Sequence, residues 1–443
     1  MIKPLICAGL FVFSSVVSVP SLGTDGIPDP TFGVDGRQSI AFDLGPDRSD
    51  QVRGLAVLPS QRIMLAGTVT GESGTTGIGL AKLGVHGQQD AQFGTPWHLP
   101  AALEGAEVRD AAVQSDGLLV VVGLARTLGV GTPAPLICRF LPSGKPELRF
   151  APLSNPIAGS GCRLLESPSW GELNALTIQG DGRIAAAGYA MNGKRRAMVL
   201  RLDVKGDLDA SFDVDGVQVL EPLSPDDVVL RDIVQAPDGD LIAVGEADIG
   251  GNRDGRVLRL RAGDGGLDQE FDEDGVRSIG LDLVSNGFDL ANSVGVLADG
   301  SILVGGVAGL DGDIRCPALV RLSPAGQLDP VLDGDGVFID DGLCLEALHL
   351  PSMVLQSDGA VVLAGDYADE FLVMRIDSTG GRDSSFGADG VFTVDLGEVH
   401  GIVGSADRAF HVADQNGRLL LAGSTDPGDQ GGKDFGIVGF VDQ

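Results

Sequence analysis

A chain of 443 residues exceeds the size at which a single hydrophobic core keeps growing, so it holds either several domains or one architecture extended by repetition. Its 67 glycines and 5% aromatic content favour the second, with many short strands joined by tight turns. A formal net charge of -31 excludes the basic surface that nucleic acid needs and disfavours adhesion to anionic lipid.

Residues 1–23 stand apart. Lys3 supplies a positive start, "LICAGLFVFSSVV" an apolar core, and Ser18, Ser21 and Gly23 a small-residue end. This pattern predicts a secretory signal peptide. The apolar run is shorter than the roughly 20 residues of a spanning helix, and Cys7 sits too early for a lipoprotein cleavage site. The expected location is outside the inner membrane: periplasmic, cell-surface or extracellular. Residues 24–443 are expected to form a single domain.

From residue 29 onward two motifs alternate. The first is "DPTFGVDG" at 29–36, with further copies "LDASFDVDG" at 208–216, "LDQEFDEDG" at 267–275, "LDPVLDGDG" at 328–336 and "RDSSFGADG" at 382–390, and weaker ones around Phe93 and Phe150. The second pairs a turn with four mostly apolar residues and a glycine: "SQRIMLAG" at 60–67, "DGLLVVVG" at 116–123, "DGRIAAAG" at 181–188, "DGDLIAVG" at 238–245, "DGSILVGG" at 299–306, "DGAVVLAG" at 358–365 and "NGRLLLAG" at 416–423. Successive starts lie 56, 65, 57, 61, 59 and 58 residues apart, which is the signature of an array. Each period holds four strand candidates; in 217–261 they are "VQVLE", "VVLRDIVQA", "LIAVGEA" and "RVLRLRA". Asp-Gly between the second and third suits a hairpin turn, since both residues tolerate positive φ. Without helical periodicity, seven such units predict an all-β, seven-bladed β-propeller of four-stranded antiparallel blades.

The paired motifs resemble the delta-60 repeat family across essentially the whole chain after residue 23. That resemblance implies an exported or surface-associated propeller-like protein, and it carries no single activity.

The strand after "TFGVDG" begins the ring, and "DFGIVGFVDQ" at the C-terminal end matches a third strand. With strands lettered a to d from the channel outward, the last blade therefore lacks its d strand, and the N-terminal strand is expected to supply it, removing an exposed edge. Alternating strand direction then puts the a–b and c–d turns on one face and the d–a and b–c loops on the other. The first set is stereotyped. The second differs from blade to blade, as in "LGPDRSD" at 44–50, "TVTGESGTTG" at 68–77, "ADIGGNRDG" at 247–255 and "STDPGDQGGKD" at 424–434, so recognition is expected there.

Seven residues before each turn position, at the start of strand a, stand Arg53, Arg109, Asn174, Arg231, Asn292, Pro351 and Ala409, with Arg408 beside the last. This series is expected to ring the channel mouth, where arginines and amides could hold a carboxylate, phosphate or sugar. The competing reading pairs the arginines with Asp50, Glu107 and Asp227. A second basic series, Lys82, Arg139, Arg201, Arg259, Arg321 and Arg375, runs through strand c and is expected to bind turn carboxylates. Register across the c–d turns predicts two disulfides, Cys138–Cys162 and Cys316–Cys344.

Chemistry is weakly signalled. His86, His98, His349, His400 and His411 have no metal-ligand spacing, and no nucleophile elbow or P-loop is present. No cofactor is expected. Calcium is the specific alternative, since "ASFDVDGV" at 210–217 carries Asp213-x-Asp215-Gly216, but the full ligand set of a calcium loop is missing from it. The function expected is a monomeric binding or interaction scaffold whose variable face meets a carbohydrate or protein ligand. Its rival is a polysaccharide-active hydrolase or lyase using carboxylates on that same face.

Overall fold

The a–b turn shows how the repeat builds a blade. In a computed structural model, Asp116 Oδ1 accepts the Leu118 amide, while Gly117 takes φ 85°. The same aspartate-to-amide bond recurs at Asp181, Asp238, Asp299 and Asp358. A carboxylate fixing the amide two residues on is the local reason for this turn chemistry. The structure describes residues 27–441 except 43, 45–48, 130, 151–154, 166–169, 221–226, 250, 282, 284–287, 311–312, 397–406 and 427–432. The signal segment expected at 1–23 lies outside the described residues, as do parts of the loops 44–50, 247–255 and 424–434.

The glycine that ends each second motif has a mechanical role. A Cβ at Gly123 would lie 1.9 Å from the Glu107 carbonyl oxygen, and one at Gly306 would lie 1.8 Å from that of Leu290. Strand a bulges against this glycine: the pairing slips between Val108 and Asp110, between Leu173 and Ala175, and at the matching place in every other blade. A bulge re-aims the extra side chain. Here it turns Arg53, Arg109, Asn174, Arg231 and Asn292 toward the channel.

Seven antiparallel sheets result. Blade 1 holds Gln51–Val57, Ile63–Thr70, Thr76–Leu83 and Trp97–His98. Blade 2 holds Leu103–Val113, Leu119–Thr127, Pro133–Phe140 and Cys162–Leu164. Blade 3 holds Gly171–Ile178, Ile184–Asn192, Lys194–Leu202 and Val217–Val219. Blade 4 holds Val228–Gln235, Leu241–Ile249, Asn252–Leu260 and Val276–Ile279. Blade 5 holds Leu290–Val296, Ile302–Gly309, Ile314–Leu322 and Val337–Ile339, with Leu345–Glu346 added at its third strand. Blade 6 holds His349–Leu355, Val361–Tyr367, Glu370–Ile376 and Val391–Val394. Blade 7 takes Arg408–Asp414, Arg418–Thr425 and Asp434–Val441 from the C-terminal end and Arg37–Ile40 from the N-terminal end. The expected closure is present, with Arg37 opposite Val438 and Ile40 opposite Phe435. Each a strand packs against that of the next blade, the last against the first. The core lies between blades, in clusters that each draw on two neighbours.

The uniform face is held by the strand-c arginines, as expected. Arg201 Nε donates to Asp209 Oδ2 at 2.8 Å, Arg321 to Asp329 at 2.7 Å, Arg259 to Asp268 at 3.0 Å and Arg375 to Asp383 at 3.3 Å, while Arg139 meets Glu147 at 3.1 Å. Lys82 differs, donating to the Pro142 carbonyl at 3.3 Å. Several arginines also reach the next blade, Arg201 at the Ala262 carbonyl and Arg259 at that of Pro324. Beneath them the motif phenyl of one blade sits under a turn glycine of the next: a Cβ at Gly265 would lie 2.7 Å from the Phe212 ring. In "ASFDVDGV", Asp215 Oδ1 accepts the Val217 amide, and the nearby Asp209 accepts both the Ser211 amide and hydroxyl. Both disulfides form in the expected pairing, Cys138–Cys162 between directly opposed residues and Cys316–Cys344 across the c–d connection of blade 5.

Candidate ligand site at the channel mouth

Where the strand-a bulges converge they enclose a cavity of about 440 Å³. Its lining includes Arg53, Arg109, Asn174, Arg231, Asn292 and Pro351, six of the seven residues expected from the spacing. Ala409 is the exception. It is fully buried in the sheet, and Phe410 occupies the seventh place at the cavity. The cause is turn length. In blade 2 three residues separate Gln114 from Leu118, whose carbonyl accepts the Gln114 amide. In blade 7 only Asn416 and Gly417, at φ 54° and 80°, separate Gln415 from Arg418, which exchange both hydrogen bonds. Asn-Gly in a two-residue primed turn moves the register by one, and counting back seven from Asn416 lands one residue short.

The amides and two of the arginines are engaged by the protein. Asn174 Nδ2 donates to the Leu230 carbonyl at 2.8 Å and Asn292 Nδ2 to that of Leu350 at 3.1 Å, so each pins its blade to the next. Arg109 meets Glu107 at 3.2 Å and Glu172 at 3.3 Å, and Arg231 meets Glu246 at 2.7 Å. Glu107 is therefore a partner as expected. Asp50 accepts the Phe42 and Thr70 amides and Asp227 that of Arg195, and among the described residues neither is within ion-pair distance of Arg53, Arg109 or Arg231.

Arg53 is held differently. Its guanidinium carbon lies over the Phe410 ring, 3.7 Å from the centroid, and one nitrogen donates to Gln51 Oε1 at 3.0 Å. Among the described residues no carboxylate lies within ion-pair distance of it, and its Nε is buried without a hydrogen-bond partner. Burial, then the charges of Arg109 and Arg408, pull its pKa down to about 10.

Below this ring lies a belt that the repeat spacing does not reveal. Asp110 Oδ2 in blade 2 accepts the Leu176 amide of blade 3, and Asp232 Oδ2 in blade 4 accepts the Val294 amide of blade 5, both at 2.8 Å. Ser352 Oγ in blade 6 accepts the Val412 amide of blade 7. Each side chain thus meets an amide beside the neighbouring blade's bulge, the kind of group that must be satisfied when buried. His411 completes the belt, its Nε2 3.6 Å from Asp110 Oδ1. The lumen reaches these side chains, which are 26% exposed for His411 and 13% for Asp110, but protein surrounds them on every side. Burial accordingly raises Asp110 well above the usual carboxylate range, with the charge of Asp232 adding to the rise, and lifts Asp232 to about 6. Burial also lowers His411 to about 4, with the Arg53 charge acting in the same sense.

His349 lines the cavity too, with Nδ1 3.3 Å from Asp366 Oδ1. Two histidines that look scattered in the sequence therefore meet here, because one opens strand a of blade 6 and the other follows the bulge of blade 7. The position directly after the bulge was the available signal. It reads Gly54, Asp110, Ala175, Asp232, Ser293, Ser352 and His411, too varied to register as a motif. Among the described residues no cluster of three or more metal-ligating side chains forms, and no helix is long and apolar enough to cross a membrane.

Comparison with known proteins follows the repeat. The family model described as "Domain of unknown function (DUF5122) beta-propeller" matches residues 179–212, 236–271 and 297–330. Each match runs from an a–b turn through strands b and c into the c–d connection. No curated protein matches. Similar solved structures include virginiamycin B lyase from Staphylococcus aureus, 11% identical over 91% of this chain and 98% of that one, with a TM-score of 0.46. A protein of unknown function from Dyadobacter fermentans is 12% identical over 93% and 100%, with a TM-score of 0.43. An ulvan lyase representing a polysaccharide lyase family is 9% identical over 91% and 96%, with a TM-score of 0.45. The seven four-stranded blades make the chain a β-propeller, and three of its repeats match the DUF5122 β-propeller model, with which the delta-60 resemblance agrees.

Proposed function

We propose that this protein is an exported binding scaffold that takes a ligand at the channel mouth on its variable face. The observation that carries the reading is the cavity of about 440 Å³, ringed by side chains that differ from blade to blade on a framework that otherwise repeats. Such a volume suits a small molecule or one residue of a larger ligand. Export is supported by the signal-like segment at 1–23 and by two disulfides, which persist in oxidising compartments. Glycan and protein arrays probed with the mature chain test the reading. Capture that disappears on combined charge reversal of Arg53, Arg109 and Arg231 supports it, and capture indifferent to that change refutes it.

A second reading, a polysaccharide-active hydrolase or lyase, is favoured by Asp110, Asp232, His349 and His411 facing the same cavity. It requires turnover of a polysaccharide that is lost in Asp110→Asn or His411→Gln while binding persists. A scaffold shows binding without turnover.

A further inference from the structure

The charges of the mouth do not balance, and the imbalance has a location. Arg109 is matched by Glu107 and Glu172, and Arg231 by Glu246. Arg53 keeps one hydrogen bond, to Gln51, and among the described residues it has no ion-pair partner. It is held in the lining between the Phe410 ring and Gln51, which limits its motion and keeps a multi-donor cation at the lumen. Across the ring from blades 1 and 2, blades 5 and 6 contribute Leu290, Pro351 and Met353 to the lining. The same blades also contribute Asn292, His349 and Ser352, so the cavity is cationic on one side and mixed apolar and polar, without an arginine, on the other.

We infer that the mouth binds a carboxylate monoanion of ring size, its charged group on Arg53 and its uncharged body against Leu290, Pro351 and Met353. This rests on the mouth being the binding site. Arg53 is the one arginine of the lining without a carboxylate partner among the described residues, and one ligand carboxylate matches it; a second charge on the ligand would also face Glu107 and Asp366, whose charges already act on Arg53. A bound carboxylate also relieves a cost present in the free protein, where burial and the charges of Arg109 and Arg408 act against the Arg53 cation. The amides contribute little, because Asn174 and Asn292 spend their donors on neighbouring blades. On a chain with a net charge of -31, such a spot gives anions one favoured landing point.

The test is calorimetric titration of the mature chain with sodium glucuronate and with cyclohexanecarboxylate, against glucose, cyclohexanecarboxamide and inorganic phosphate. The acids are expected to bind at least about tenfold more tightly than their neutral counterparts and phosphate, and the ring resonances of His349 and His411 are expected to move. Arg53→Gln should weaken the acids by about 10- to 100-fold, the loss of one charge-assisted contact, with Arg53→Lys in between. Should Arg53→Gln fail to fold, Gln51→Glu places a carboxylate on the same nitrogen and should weaken the acids comparably. The ratio of the two acids separates a sugar acid from a plain carboxylic acid. Neutral analogues binding as well as the acids, or affinity unchanged in both variants, overturns the inference. Array capture that survives excess glucuronate and both variants also overturns it, while leaving the scaffold reading intact. Acid binding with empty arrays supports it and refutes only a macromolecular partner.

Discussion

In a chain of residues 24–443, removing residues 24–45 deletes the fourth strand of blade 7, and the structure sets what is lost. The segment carries Phe32, Ile40 and Phe42, all buried in the cluster shared by blades 7 and 1. Returning each to water costs about 2 to 3 kcal/mol, so the apolar term alone comes to about 6 to 9 kcal/mol. Arg418 loses Asp29, with which it pairs at 2.6 Å, and Asp434–Val441 becomes an open edge that invites association. Unfolding entropy of about 2 cal/mol/K per residue over a chain of this length turns that loss into a melting decrease of about 7 to 10 °C. Differential scanning calorimetry of residues 24–443 and of the deletion, with light scattering to catch edge pairing, is the assay. A melting temperature unchanged within a degree would refute both the closure and the energetic account of it.

Three further outcomes follow from particular side chains. Asp232, raised to about 6, binds its proton more tightly folded than unfolded, so its contribution is present below about pH 4 and is lost as pH rises through 6. A rise of about two pH units corresponds to about 3 kcal/mol, so wild type should gain stability relative to Asp232→Ser on going from pH 8 to pH 4.5; a stability difference between the two proteins that stays constant over that range counts against it. Arg201→Ala strips a 1% exposed guanidinium from Asp209 and the Ala262 carbonyl and should cost about 3 to 5 kcal/mol in urea unfolding, as for other broken buried pairs. Cys138→Ser with Cys162→Ser opens a link across a sequence separation of 24 and should cost about 3 kcal/mol, with no further loss on adding reductant beyond that from Cys316–Cys344.

Architecture was legible because every blade repeats the same local solution, an aspartate-capped turn, a short apolar strand and a glycine, so seven weak signals add. The ring residues were legible for the same reason, since the glycine that permits the bulge lies at a fixed distance from them. Ala409 shows the limit: counting from a turn assumes its length, and Asn416-Gly417 closes in two residues where other blades use three. The belt of Asp110, Asp232, Ser352 and His411 escaped because its chemistry acts between blades. Asp110 makes sense only once the Leu176 amide beside the next blade's bulge is known to need an acceptor, and spacing within one repeat says nothing about that. Arg53 and Arg231 occupy equivalent positions but differ in partner through Glu246 on a neighbouring strand, so which cation stays uncompensated could not be read from the series.

The clasp in blade 7 also orders events in time. Ser39 bonds to Asp434 across 395 residues of chain, a contact that cannot form until the last strand exists. Loop-closure entropy must be met in full before this contact returns anything. Blades 1 to 6 can assemble during synthesis, while the seventh waits. The ring therefore stays open, and the strands at 37–40 and 434–441 apart, until the last strand has been made.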